Sequence, residues 1–185
     1  MSMIKEYLSL VTKAISELPE DKIQDVIDTL MNAHAEGRQV FLLGNGGSAS
    51  TASHFACDLQ KGVKMHTGKR LKVSSINDSI PLITAWANDT DYENIFAEQL
   101  DGILHPNDVV IALSGSGNSP NVLKAVEKAN EIGAITIGWS GFDGGKLAQI
   151  AQKPIIVNSN NMQRVEDVHM VLGHLIFACF LKQCV

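Results

Sequence analysis

Twice in this chain an uninterrupted apolar run of strand length stops at a turn of glycine and serine and gives way to a helical pattern. Val40 to Leu43 leads into Gly44-Asn45-Gly46-Gly47-Ser48, and Asp108 to Leu113 leads into Ser114-Gly115-Ser116-Gly117-Asn118-Ser119-Pro120. Short runs that are apolar on every side belong to strands buried on both faces, the setting of a parallel sheet wrapped by helices. Such a sheet carries its function at the carboxyl ends of its strands. The turns suit an anion there: glycine lets the backbone approach a ligand, and the free amides of the following helix point at it together with the hydroxyls of Ser48 and Ser50.

The remaining pattern extends this frame. Apolar spacing predicts helices from Met3 to Leu18 and from Asp21 to Gly37, separated by Pro19. Leu71 to Ile76, Ala134 to Trp139 and Pro154 to Val157 read as further strands. Ile80 to Ala87, Tyr92 to Leu100, Asn121 to Ile132, Lys146 to Ala151 and Val165 to Lys182 read as helices, and the polar, basic stretch from Gln60 to Arg70 as a loop or a frayed helix end. The expectation is an α/β fold, a five-stranded parallel sheet flanked by helices and preceded by a helix pair. That pair either covers one sheet face or forms an arm that packs on another subunit, and its apolar positions occupy more than one stripe, which favours the arm.

The length fits one domain over residues 1–185, with residues 1–37 as a helical oligomerisation arm. A net charge of -5 argues against a nucleic-acid surface, so any phosphate must be held locally. No apolar run reaches the length of a membrane span and the first residues lack the apolar core of a signal peptide, so the reading predicts a cytoplasmic protein without membrane or nucleic-acid partners. Cys57, Cys179 and Cys184 are odd in number, lack CxxC spacing and read as small apolar residues.

The turns match neither the dinucleotide fingerprint nor the lysine-bearing P-loop, which removes nucleotide hydrolysis and points to a phosphate monoester. His54 and Asp58 are four apart on the helix behind the first turn and share a face, about 10 Å along the helix from the anion turn. Glu166 and His174 lie on one stripe of the last helix. Lys61 and Lys64 are basic residues within reach of a ligand near the first turn. His34, His66, His105 and His169 read as structural.

Taken together, Gly-Asn-Gly-Gly-Ser with His-Phe-Ala-x-Asp behind it, Ala-Asn-Asp before Ile95-Phe96, Ser-Gly-Ser-Gly-Asn-Ser, Gly-x-Asp-Gly-Gly-Lys and Arg-Val-Glu-Asp-Val-His resemble the sugar isomerase (SIS) domain family. Within it the chain is most similar to the sedoheptulose 7-phosphate isomerases, over nearly its whole length. The resemblance implies a flavodoxin-like sheet, a homotetramer with sites near subunit interfaces, and a divalent metal, commonly zinc. It also implies aldose-ketose isomerisation of sedoheptulose 7-phosphate to D-glycero-D-manno-heptose 7-phosphate for surface glycans. Isomerisation of another phosphosugar, or a non-catalytic binding or adaptor role on the same fold, are the alternatives.

The family's substrate-binding positions fall on Asn45, Gly46, Gly47, Ser48, Asn88, Asp89, Ser114, Gly115, Ser116, Ser119 and Glu166. Its metal positions fall on His54, Asp58, Glu166 and His174, and its catalytic roles on Asp58, Glu166 and His174. Three residues depart from the family pattern: Gly115 stands where threonine is common, Asp58 where glutamate is usual, and Glu166 where glutamine is usual. The base is therefore either Asp58 or Glu166.

Overall fold

A computed structural model describes residues 2–184. In chain order it contains α1 (Met3–Ser16), α2 (Glu20–Glu36), β1 (Gln39–Gly44) and α3 (Gly47–Cys57). A π-helical segment (Asp58–Gly62), α4 (Val63–Thr67), β2 (Lys72–Ser75) and α5 (Ile80–Asp89) follow. Next come a 3₁₀ turn (Tyr92–Asn94), α6 (Ala97–Leu100), β3 (Val109–Leu113) and α7 (Pro120–Ile132). The chain closes with β4 (Ile135–Ser140), α8 (Leu147–Ile150), β5 (Lys153–Ile156) and α9 (Met162–Gln183).

The five strands form one sheet in the order β2-β1-β3-β4-β5. All four pairings are parallel, as the buried apolar runs predict. The order in which strands are added switches from one side of β1 to the other between β2 and β3, so the carboxyl ends of β1 and β3 open the crevice in which open parallel sheets bind ligands. The two Gly/Ser turns stand there.

Each face of the sheet buries one apolar cluster. On one side Val26, Ile27 and Leu30 of α2, Phe55 of α3, and Leu172, Ile176 and Phe180 of α9 pack over Val40, Leu42, Ile111 and Trp139. On the other, Ile95, Phe96 and Leu100 join Val122, Ala125 and Val126 of α7 over Phe41, Leu43 and Val110. Each fully buried aliphatic side chain contributes about 1.5–3 kcal/mol, so these two layers hold the crevice rigid.

The leading helix pair divides its tasks. α2 lies in the core and covers the sheet, whereas α1 buries only Ala14 and leaves Met3, Ile4 and Leu8 exposed. α1 rests on α9, where the Tyr7 hydroxyl donates to Asp167 Oδ2 at 2.6 Å. The basic stretch after Asp58 also differs from its expected loop. The chain stays helical to Thr67 because Leu59 and Val63 bury completely while the polar residues between them face solvent. At the end of the π segment, Gly62 lies so close to the Phe177 ring that a Cβ would collide with it. Among the described residues no helix is long and apolar enough to cross a membrane.

Candidate active site

α3 and α9 run side by side in the same direction. Gly173 of α9 packs against the Phe55 ring, where a Cβ would just touch, 3.5 Å from Phe55 Cγ. That close approach sets Glu166 beside Gly47 at the start of α3 and His174 beside His54 near its end. The two ends of the groove are therefore about two helical turns apart, on the order of 10 Å.

At the far end three side chains converge. His54 Nε2 lies 2.9 Å from His174 Nε2, and Asp58 Oδ2 lies 3.4 Å from the first and 3.8 Å from the second. One candidate ligand atom from each falls within 4.8 Å of the others. Two imidazole nitrogens and a carboxylate oxygen are ordinary zinc donors, so the set fits a divalent metal. The side chains of His54 and His174 are 49% and 54% exposed, which leaves the centre open to a substrate or a second subunit.

Glu166 does not join this group. Its carboxylate lies over Gly47, where both oxygens would be 2.6 Å from a Cβ, so a side chain at 47 would push the carboxylate from this position. It occupies the amino end of α3, where the helix dipole favours negative charge. The reason is its position on α9: eight residues before His174, it is carried about 12 Å back along the helix.

The first turn is held by its own geometry. Gly46 caps α3 at φ 53° and ψ -121°, a conformation that L side chains rarely adopt. The turn closes onto the helix through Ala49 N, which donates to Asn45 O and Gly46 O, and Ser48 is buried just inside the helix start. In the second turn Ser114 and Ser119 bond to each other through their hydroxyls at 3.0 Å. Ser116 Oγ accepts from Asn118 N at 3.2 Å and borders a cavity of about 540 Å³ shared with Phe142 and Asn160. Met162 of α9 fills the space a side chain at Gly115 would need; a Cβ there would strike its thioether sulfur.

Other predicted positions stand apart. Asn88 and Asp89 form the exposed last turn of α5 and bond to each other at 2.8 Å, with no hydrogen bond to either Gly/Ser turn among the described residues. Lys64 donates to Gly68 O and so caps its own helix, and Lys61 is exposed. His169 is buried, with Nε2 3.3 Å from Ser140 O and Nδ1 unpartnered; burial pulls its pKa down to about 4, against a smaller upward pull from that hydrogen bond. Two residues that sequence reasoning did not single out, Asn121 and Tyr92, bond directly to Asn45.

A parallel sheet with anion-suited turns at its crevice and a histidine-carboxylate centre two helical turns away defines a doubly wound α/β domain of the sugar isomerase class. The family model of the SIS domain matches residues 5–141, and the chain belongs to that family. Within it the chain is similar to phosphoheptose isomerases. The chain is 39% identical to that of Aquifex aeolicus, covering 90% of this chain and 86% of that protein. It is 38% identical to that of Helicobacter pylori, covering 95% and 88%. Among solved structures, the phosphoheptose isomerase of Neisseria gonorrhoeae superposes with a TM-score of 0.85 at 27% identity, covering 96% of this chain and 94% of that one.

Proposed function

We propose that this chain is a metal-dependent aldose-ketose isomerase that converts sedoheptulose 7-phosphate to D-glycero-D-manno-heptose 7-phosphate, as a cytoplasmic homotetramer. The observation that carries the reading is the convergence of His54, Asp58 and His174 about two turns from the Gly44–Ser48 turn. A phosphate held by the Gly/Ser turns would place the far end of a sugar chain at the histidine-carboxylate centre.

In this reading the amides and hydroxyls of Asn45 to Ser48 and Ser114 to Ser119 bind the phosphate and exclude competing orientations. Asp58 takes the proton from C1, beside the ketose carbonyl, and returns it to C2. His174 gives a proton to the carbonyl oxygen as electrons move onto it, and recovers one from the neighbouring hydroxyl. His54, Asp58 and His174 would hold zinc, and His174 Nε2, once a ligand, would no longer be the proton donor; Glu166, at the other end of the groove beside Gly47, would take no part in that site. Zinc, when bound, would supply an electrophile that polarises the carbonyl. The exposed apolar side of α1 supports assembly with other copies, and deleting residues up to Leu18 should give smaller, less active species by light scattering.

The deciding experiment is turnover of sedoheptulose 7-phosphate by the purified protein, with loss on chelation and recovery on added zinc as the expected result. An inert heptulose phosphate beside an active shorter ketose phosphate would move the substrate. No turnover of any ketose phosphate after zinc would leave a binding or adaptor protein.

A further inference from the structure

Asn45 is the one residue of the first Gly/Ser turn whose side chain is held from two other elements. Asn121, 2% exposed in the first turn of α7, accepts from Asn45 Nδ2 at 2.8 Å and donates back to Asn45 Oδ1 at 3.0 Å. The amide of Asn121 has only one possible orientation, because its Oδ1 also accepts from the backbone N–H of Val122 at 2.9 Å. That orientation dictates the one facing it: Asn45 must point its nitrogen at Asn121 Oδ1 and its oxygen at Asn121 Nδ2. From the other side the Tyr92 hydroxyl donates to the same Asn45 Oδ1 at 3.1 Å.

Both lone pairs of the Asn45 carbonyl are then occupied, and the only capacity left on its amide is the second N–H. Asn45 therefore meets a ligand as a donor and not as an acceptor. Beside it lies a cavity of about 110 Å³ bordered by Gly46, Asn77 and Tyr92. The same amide pair also ties the turn after β1 to the helix that opens directly after the turn following β3, so it fixes the spacing of the two loops.

We infer that Asn121 and Tyr92 are positioning residues that lock Asn45 as a hydrogen-bond donor to an acceptor oxygen of the substrate, its phosphate or a sugar oxygen. This rests on the proposal that Asn45 touches the substrate. Tyr92→Phe removes one donor to Asn45 Oδ1 and leaves the exposed ring in place. Asn121→Asp keeps the shape but replaces the donor to Asn45 Oδ1 with a carboxylate oxygen, so in either orientation the Asn45 amide sets its oxygen against an acceptor and the lock on one orientation is lost.

Steady-state kinetics of the metal-loaded enzyme, with thermal melts of each variant, test the inference. Asn45→Ala supplies the reference and should raise KM about tenfold. Tyr92→Phe should raise KM several-fold with an unchanged melt and kcat within twofold, and Asn121→Asp should raise KM more than Tyr92→Phe does. If Asn45→Ala leaves KM at its wild-type value, the substrate contact itself is refuted and the inference falls with it. If Asn45→Ala raises KM while Tyr92→Phe, equally stable, retains the wild-type KM, the positioning role alone is overturned. A fall in kcat without a change in KM in Tyr92→Phe would overturn it too.

Discussion

The two strand-turn-helix units built on β1 and β3 look alike in sequence but are put together differently. In the first, Gly47 faces a movable side chain, the Glu166 carboxylate, and the helix that follows carries His54 and Asp58 toward solvent. In the second, Gly117 at φ 66° is wedged against the backbone of Gly144 and Gly145, and α7 turns Val122, Ala125, Val126 and Ala129 into the core. One unit leaves room for chemistry; the other is locked to its neighbouring loop. A glycine-rich turn is thus not one device, and what presses on the glycine distinguishes its uses.

The largest effect that sharpens this contrast belongs to the first unit. Asp58→Asn should lower kcat by about 10² to 10⁴-fold, as for loss of a general base, and abolish solvent-deuterium exchange at the sugar C2 while the fold persists. Exchange that survives undiminished in Asp58→Asn but disappears in Glu166→Gln would assign the base to Glu166 instead.

Stability separates the units next. Gly117→Ala should cost about 1–3 kcal/mol or more, because a Cβ meets left-handed backbone and the Gly144 carbonyl together, and should lower the melting temperature by several degrees. Gly47→Ala meets only the end of the flexible Glu166 side chain, so its melt should stay near wild type while its kinetics change. Equal melting losses in the two variants would break the comparison.

Ser48→Ala and Ser116→Ala test what the units share. Each removes a hydroxyl suited to a charged group, worth about 1.5–3 kcal/mol or roughly tenfold in KM, with a smaller change in kcat. Normal Michaelis constants in both would place the phosphate elsewhere.

The smallest effect at neutral pH lies outside both units. His169, with a folded pKa of about 4 against an unfolded value near 6.5, is neutral in both states above pH 6.5. As the pH falls below 6.5 the unfolded chain takes up the proton first, so stability declines toward pH 4 by on the order of 3 kcal/mol and then levels off. Urea unfolding across that range should show the decline in wild type and a flatter profile in His169→Gln.

The strands were legible because continuous apolar runs such as Val109–Leu113 have few alternatives once glycine ends them. The helix through Lys61 and Lys64 was not, because only Leu59 and Val63 bury and two apolar positions make no readable stripe. His54 with Asp58 could be read from local spacing. The approach of His174, 120 residues away, came only through family resemblance, since no local pattern encodes which face of α9 meets α3. Asn121 left no signal at all: after Pro120 it looks like an ordinary polar residue in a first helical turn, and only the fold brings Asn45 to it.

The π segment from Asp58 to Gly62 bears on how chains of this kind should be aligned. A π turn is an α-helix that has taken in one extra residue, and it confines the disturbance to its own length. Upstream, His54 keeps its phase, and Asp58 opens the segment one turn further on; downstream, Val63 still reaches the core. A one-residue gap within this stretch is therefore structurally cheap, exchanging a wide turn for a regular one. A gap placed a few residues earlier would rotate the Asp58 carboxylate by about 100° around the helix and away from both histidines.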